Sequence, residues 1–294
     1  MSASPEAGVI HDIGYRHYRG PRLGRGAVVR SLYIDSLRGA FGLGRSAKSK
    51  IAPLLLLAIS CLPALVTAIV VNVTGDDALP FPISIYPTFV YPLLILYAGG
   101  QAPASVSRDL RFRVTTLYFS RPLSRNDYVA AKFAALTTAL VIVLGLPLLL
   151  LTGGLLLSDV PARDVLVGFA QSLLVVVLLA PMIAGIALAI ASVTPRRGLG
   201  VAAVVAVLII AWAMHGAVQG ILMEQDRKDL APWAQLISPG STVDGLVAWA
   251  FDIDSGSGTV PDGTAGLAWI ATVAAVIAGS IAFLALRYRK VSVT

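Results

Sequence analysis

Six stretches of this chain are apolar over the length needed to cross a lipid bilayer: 51–73, 83–106, 133–157, 165–192, 200–221 and 266–286. A helix needs about 20 such residues to span the hydrocarbon core. Charged residues make up 13% of the chain, about half the usual share of a soluble domain. The expected fold class is an all-α integral membrane protein, one domain of six transmembrane helices over 51–290.

The second run is irregular. It carries Pro80, Pro82, Pro87, Pro92 and Pro103 in or beside it, with Gly99 and Gly100 near its end. Proline removes a backbone donor and kinks a helix, so this span is expected to bend or to be entered through an irregular segment. The fourth run holds Pro181 and Gly185 and is expected to tilt or break.

Charge sorts the loops. The first 50 residues hold nine Lys or Arg, the 107–132 loop six, the 193–199 turn two and the tail three. The intervening segments hold only three, and the 222–265 loop carries seven acids. Basic loops stay on the cytoplasmic side, which puts both termini and the 107–132 loop in the cytoplasm and 222–265 outside. On this count every charge falls outside the spans. Ion-coupled pumps and intramembrane aspartyl proteases keep ionisable groups in the membrane, so both classes are disfavoured. Asp76 and Asp77 form a dense pair, but in a loop.

The N-terminal region divides in two. Residues 1–27 are rich in Gly, Pro and Arg and are expected to be loosely ordered. No cleavable signal segment is visible, so the N-terminus is expected to remain where it is made. Over 28–46, Val29, Leu32, Tyr33, Ser36, Leu37, Ala40 and Phe41 recur at helical spacing, with Arg30, Arg38 and Arg45 off that stripe. A basic amphipathic helix just before a span is expected to lie in the headgroup layer, touching membrane lipids.

The 222–265 loop is expected to form short helices at about 230–237 and 241–251, the second capped by Ser241 or Thr242 with Asp244 in its first turn. Trp233 and Trp249 suit a membrane interface. The following "DIDSGSGTVPDGTAG" reads as a flexible connector. On the last span, Ala271, Ala275 and Gly279, and likewise Ala274, Ala278 and Ala282, make small-residue faces that let helices approach closely.

Little here suggests catalysis. "GLGRSAKS" at 42–49 approximates a phosphate-binding loop, but position 47 is Ala where the pattern needs Gly, and the segment before it reads as helix. Cys61 stands alone, and His11, His17 and His215 have no metal-ligand spacing. No cofactor is expected on this chain, and nucleic acid is not an expected partner.

The 107–132 segment, "SRDLRFRVTTLYFSRPLSRNDYVAAK", carries more pattern than topology requires. Its charged start reads as a short helix ending before Pro122. Ser124 is placed to cap the next helix, with Asp127 at its third position, and that helix runs into the third span. The segment resembles the first cytoplasmic loop of type-2 ATP-binding-cassette (ABC) exporter permeases: an acid in a polar helix, a threonine-leucine pair, "sRPlsR", and a lysine entering the next span. Asp109, Thr116, Leu117, Arg121, Pro122, Leu123, Ser124, Arg125, Tyr128 and Lys132 stand at those places. The similarity extends over roughly 28–290, and basic residues crowd the start of the helix more than in relatives.

The resemblance implies a coupling segment that docks on a separate ATPase subunit, formed by Arg108, Asp109, Leu110, Arg111, Phe112, Arg113, Thr116, Leu117, Arg121, Pro122 and Arg125. It implies two ATP-binding subunits, which would bind ATP and Mg, and two permease copies, identical or paralogous, in a bacterial inner membrane. Cargo would pass between the copies along the second and fifth spans, with Gln101, His215 and Gln219 as candidate lining residues or, alternatively, helix–helix hydrogen-bonding groups. An apolar wall suits an amphipathic or lipid-like compound, such as a drug. The competing readings are a membrane-embedded lipid-modifying enzyme and a non-transporting scaffold.

Overall fold

The computed structural model describes residues 20, 23–44, 46–75, 81–112, 118 and 122–289. All regular secondary structure among them is helical. In chain order the helices are α1 (Arg25–Ala40), α2 (Lys48–Thr74), α3 (Tyr86–Phe89), α4 (Tyr91–Ser105), α5 (Ser107–Arg111), α6 (Arg125–Leu155), α7 (Ala162–Val193), α8 (Arg197–Glu224), α9 (Pro239–Phe251) and α10 (Gly266–Arg289). Single 3-10 turns precede α3 and α10, and a longer one covers Ala231–Ile237.

Five of these helices, α2, α6, α7, α8 and α10, are long and apolar enough to cross a membrane. A bent pair of shorter helices passes the same test only when taken together, and would make a sixth. Ile83–Phe89 and Tyr91–Arg111 meet at Val90 with a 43° bend, where Pro87 and Pro92 each withhold a backbone donor. The fourth run does not break: α7 passes Pro181 as one continuous helix of 32 residues. More than half of its spanning window is buried, so neighbouring helices hold the turn that the proline weakens.

Contacts sort the loops onto two ends. Arg25 bonds Asp127 at the head of α6, and Arg125 donates to the carbonyl of Arg289 at 2.8 Å. Both described chain ends therefore meet at the start of α6. The α7–α8 turn faces Leu110 and Arg111 of α4–α5. This is the basic end. At the opposite, acidic end, Asn72 at the close of α2 donates to Gly154 O near the close of α6 (2.9 Å), and Ser172 Oγ donates to Ile83 O (2.8 Å).

The α6 and α7 helices form the centre, with 50% and 56% of their spanning windows buried, against 17% for α8 and α10. Small residues set the approach distances. A Cβ on Gly99 would come within 2.4 Å of Val205, and one on Gly185 within 2.7 Å of the Ser280 Cβ. The small-residue faces of α10 are not used this way: Ala271, Ala275, Gly279, Ala274, Ala278 and Ala282 are all exposed, while Trp269, Val273, Leu284 and Tyr288 face inward.

The α1 stripe is packed. Leu32 and Ala40 are buried and Tyr33 donates to Thr138 of α6 at 3.0 Å, with Arg30 and Arg38 exposed. The helix begins three residues earlier than the pattern indicated and stops at Ala40. Gly42, at φ +69°, then turns the chain, and a Cβ there would lie 2.3 Å from Ser49 O. The "GLGRSAKS" segment is thus a helix-to-helix turn. Residues 1–19, Arg45, Asp76 and Asp77 lie outside the described residues.

The acidic end corrects three expectations. The α9 helix starts at Pro239, with Ser238 in the cap position and without a side-chain cap. Ser241 and Thr242 instead donate to the carbonyls of Gln235 and Ser238 from inside the helix. Asp244 is past the first turn and buried. The expected flexible connector is strapped down. Gln235, fully buried, accepts from Trp269 Nε1 (3.0 Å) and donates to Ser257 Oγ (2.7 Å) and Thr259 O (2.6 Å). Gln219 Nε2 donates to Ser257 O and Thr259 Oγ1, both at 2.8 Å. Trp233 packs against Trp269 with tilted rings, 5.2 Å between centroids, and Trp249 donates to Gly263 O. Serine and glycine made this segment look mobile, but distant glutamines supply the partners that fix its backbone.

Candidate functional site

The site of interest lies at the basic end, where α4 gives way to α5. Val106 interrupts the helix, and Ser107 Oγ donates to Ala191 O of α7 at 2.9 Å. That buried bond anchors the base of the short helix. One turn on, the Asp109 carboxylate meets Lys132 of α6 at 2.9 Å, with side-chain exposures of 13% and 8%. Tyr128 donates to the same Asp109 oxygen at 2.9 Å, and Lys132 also donates to Ser105 O at 3.1 Å.

This pair corrects the charge count. Lys132 lies within the continuous α6, not in a loop before the third span, and it is buried. An ammonium inside a membrane domain requires a counter-charge and further acceptors. Here it has the Asp109 carboxylate, the Ser105 carbonyl and the face of the Tyr128 ring, 5.5 Å away. The Tyr128 ring in turn packs on Tyr288 of α10, at 5.0 Å between centroids. One buried cluster thus ties α5 to α6 and to the last helix.

The head of α6 is equally fixed. Ser124 and Asp127 form the reciprocal capping box that the sequence indicated. Arg25 of α1 grips Asp127 at 2.7 Å through two of its nitrogens.

The tip of α5 differs from its base. Phe112 is 64% exposed and Arg111 is exposed, its guanidinium 5.6 Å from the Phe112 ring. Beside them runs an open groove of about 890 Å³, bounded by Leu110, Arg111 and the α7–α8 turn with Arg196 and Arg197. An exposed aromatic residue within a basic surface suits a protein partner with acidic side chains.

Of the residues expected to couple, Asp109, Leu110 and Arg111 therefore share one short helix, on which Arg108 also lies, and Phe112 follows directly after its last residue. Pro122, exposed, and Arg125 stand at the head of α6. Arg113, Thr116, Leu117 and Arg121 lie outside the described residues. The three residues expected along a path separate. Gln101 lines a small cavity of about 70 Å³ with Asp35, Asp109 and Lys132. His215 lines a cavity at the opposite end, and Gln219 is committed to the strap there. The sequence reading left Ser107, Lys132, Tyr288 and Arg25 out of the candidate site. Lys132 stood in the motif itself, but the pairing of the others depends on tertiary contacts.

At the acidic end, burial pushes the Asp244 carboxyl above its ordinary range, opposed by hydrogen bonds from Ser255 and from the backbone of Gly256 and Ser257. Among the described residues no three His, Cys, Asp or Glu side chains group to hold a metal ion.

Among curated proteins none matches this chain. A family model described as "ABC-2 family transporter protein" matches residues 40–293, a range that takes in α2 to α10 and with them the Asp109–Lys132 cluster. On that match, this multi-pass membrane protein belongs to the ABC-2 transporter family.

Proposed function

We propose that the chain is the membrane permease subunit of a bacterial ABC exporter, driven by ATP that a separate subunit hydrolyses. The observation that carries this reading is the contrast within α5. Its base is bonded to α7 and α6 through Ser107 and Asp109, while its tip presents Phe112 and Arg111 to solvent. A push on the tip therefore passes to two central helices. A lever of this form has a use only if another protein moves it.

In this reading the basic end faces the cytoplasm of a bacterial inner membrane, in keeping with the positive-inside bias. The α1 helix lies beside the headgroups with Arg30 and Arg38 outward, its apolar stripe held by α6. Two ATP-binding subunits, carrying ATP and Mg, seat on the α5 tips of two permease copies. The exposed small-residue faces of α10 and the sparsely buried α8 leave surface for a second copy, identical or paralogous. Cargo, an amphipathic or lipid-like compound, passes between the copies along α4 and α8.

The test is ATP hydrolysis by the reconstituted complex in lipid discs. Phe112→Ala combined with Arg111→Ala removes exposed groups and leaves the Asp109 cluster intact. The expected result is a folded permease whose partner ATPase dissociates or no longer responds to it. An ATPase that stays bound and responsive with both side chains removed would refute the lever.

A further inference from the structure

The strapped cap at the acidic end encloses a cavity that the lever does not use. Its volume is about 390 Å³, within the range of small-molecule sites. Phe89 and Trp212 stand at its mouth, 63% and 45% exposed, and Tyr91 forms an inner wall. Two polar groups converge on it. Asp244 is 5% exposed. Its Oδ2 accepts from Ser255 Oγ at 2.6 Å and from the Ser257 amide at 3.3 Å. Its Oδ1 meets the Thr88 hydroxyl at a long 3.5 Å, and the Gly256 backbone lies beside the carboxylate. His215 is 6% exposed, and its Nδ1 has no hydrogen-bond partner there.

No Lys or Arg among the described residues pairs with Asp244. A buried carboxylate held only by neutral donors lacks the counter-charge that normally accompanies it. Aromatic faces beside it attract a cation through their quadrupoles. In the tautomer protonated at Nε2, the unpartnered imidazole nitrogen can accept one N–H from a ligand.

We propose that this cavity binds an amphipathic organic cation, its ammonium between Asp244 and His215 and its apolar body against Phe89, Tyr91 and Trp212. The inference rests on the permease reading and narrows its cargo to protonated amines, bound near the acidic exit.

The test uses purified full-length protein in zwitterionic lipid discs, with empty discs subtracted. The probe is 9-aminoacridinium, followed by fluorescence, against acridine as the neutral comparator. The expected result is saturable binding of the cation, at least tenfold weaker for acridine. Asp244→Asn is expected to weaken cation binding at least tenfold, and Trp212→Ala several-fold. Trp212 stands outside the Ser255–Ser257 bonds, so that variant decides the matter if Asp244→Asn fails to fold. Absence of saturable binding, equal affinity for acridine, or unchanged affinity in Trp212→Ala would overturn the proposal. A complex that hydrolyses ATP but binds no cation would remove this inference alone. A chain that binds the cation but no ATPase would remove the permease reading alone.

Discussion

Replacing Lys132 with Met is the most demanding perturbation of the basic-end cluster. The change keeps the length of the side chain and removes the charge. Among the described bonds Asp109 then keeps that from the Tyr128 hydroxyl, at 2.9 Å, in a setting where its side chain is 13% exposed. Breaking a buried ion pair on one side costs about 3–5 kcal/mol. Residual exposure and the surviving tyrosine bond place Lys132→Met at the lower end, about 3 kcal/mol. For a chain of 294 residues that lowers the unfolding midpoint by about 5 °C, readable by tryptophan fluorescence of the detergent-solubilised protein. Adding Asp109→Leu removes the stranded charge, so the double variant is expected to be more stable than Lys132→Met alone. A double variant that loses the sum of the two single costs would show that the residues do not act as a pair and would refute the reasoning.

The remaining predictions concern local structure. Asp127→Ala removes the N3 member of the capping box and the partner of Arg25, and is expected to cost about 1 kcal/mol in denaturant unfolding followed by circular dichroism. Gly42→Ala places a Cβ 2.3 Å from a backbone oxygen at a φ of +69°, so a loss of about 1–3 kcal/mol is expected in the same assay. Gln235→Ala strands the Trp269 indole N–H and frees the 255–259 strap; faster amide exchange is expected at Ser257 and Thr259 than in the wild type. Asp244 has a raised carboxyl pKa, so the folded state binds its proton more tightly than the unfolded chain does. Its effect on stability is most favourable below the ordinary value of 3.8 and declines as pH rises from there toward the raised value. Thermal unfolding across that window is expected to slope downward in the wild type relative to Asp244→Asn.

Much of this fold can be read from runs and punctuation. The six apolar runs correspond to five continuous helices and one bent helix pair, because span length is set by bilayer thickness and not by tertiary detail. The bend near Val90 follows from prolines visible in the sequence, and the Ser124–Asp127 cap from a local spacing. What escaped depends on distant partners. Lys132 sat at the edge of an apolar window, so counting placed it in a loop, and only the approach of α5 to α6 makes it a buried counter-charge. The 252–265 segment looked loose because its own residues are small and polar. Its order comes from Gln219 and Gln235, which lie 38 and 22 residues from Ser257. Pro181 suggested a break, but burial in the centre of the bundle keeps α7 whole. His215 and Gln219 shared polarity with Gln101, yet lie at the other end of the molecule.

In the proposed function an ATP-binding subunit grips this protein at the α5 tip. The most direct measurement is a site-specific cross-link from that tip, using Phe112→Cys in a Cys61→Ala background, with the protein co-expressed alongside the ATP-binding subunit proposed for it. The account predicts a cross-link between position 112 and that subunit whose yield changes when ATP is bound. A subunit that co-purifies with the permease yet never cross-links from position 112, with or without ATP, would contradict it.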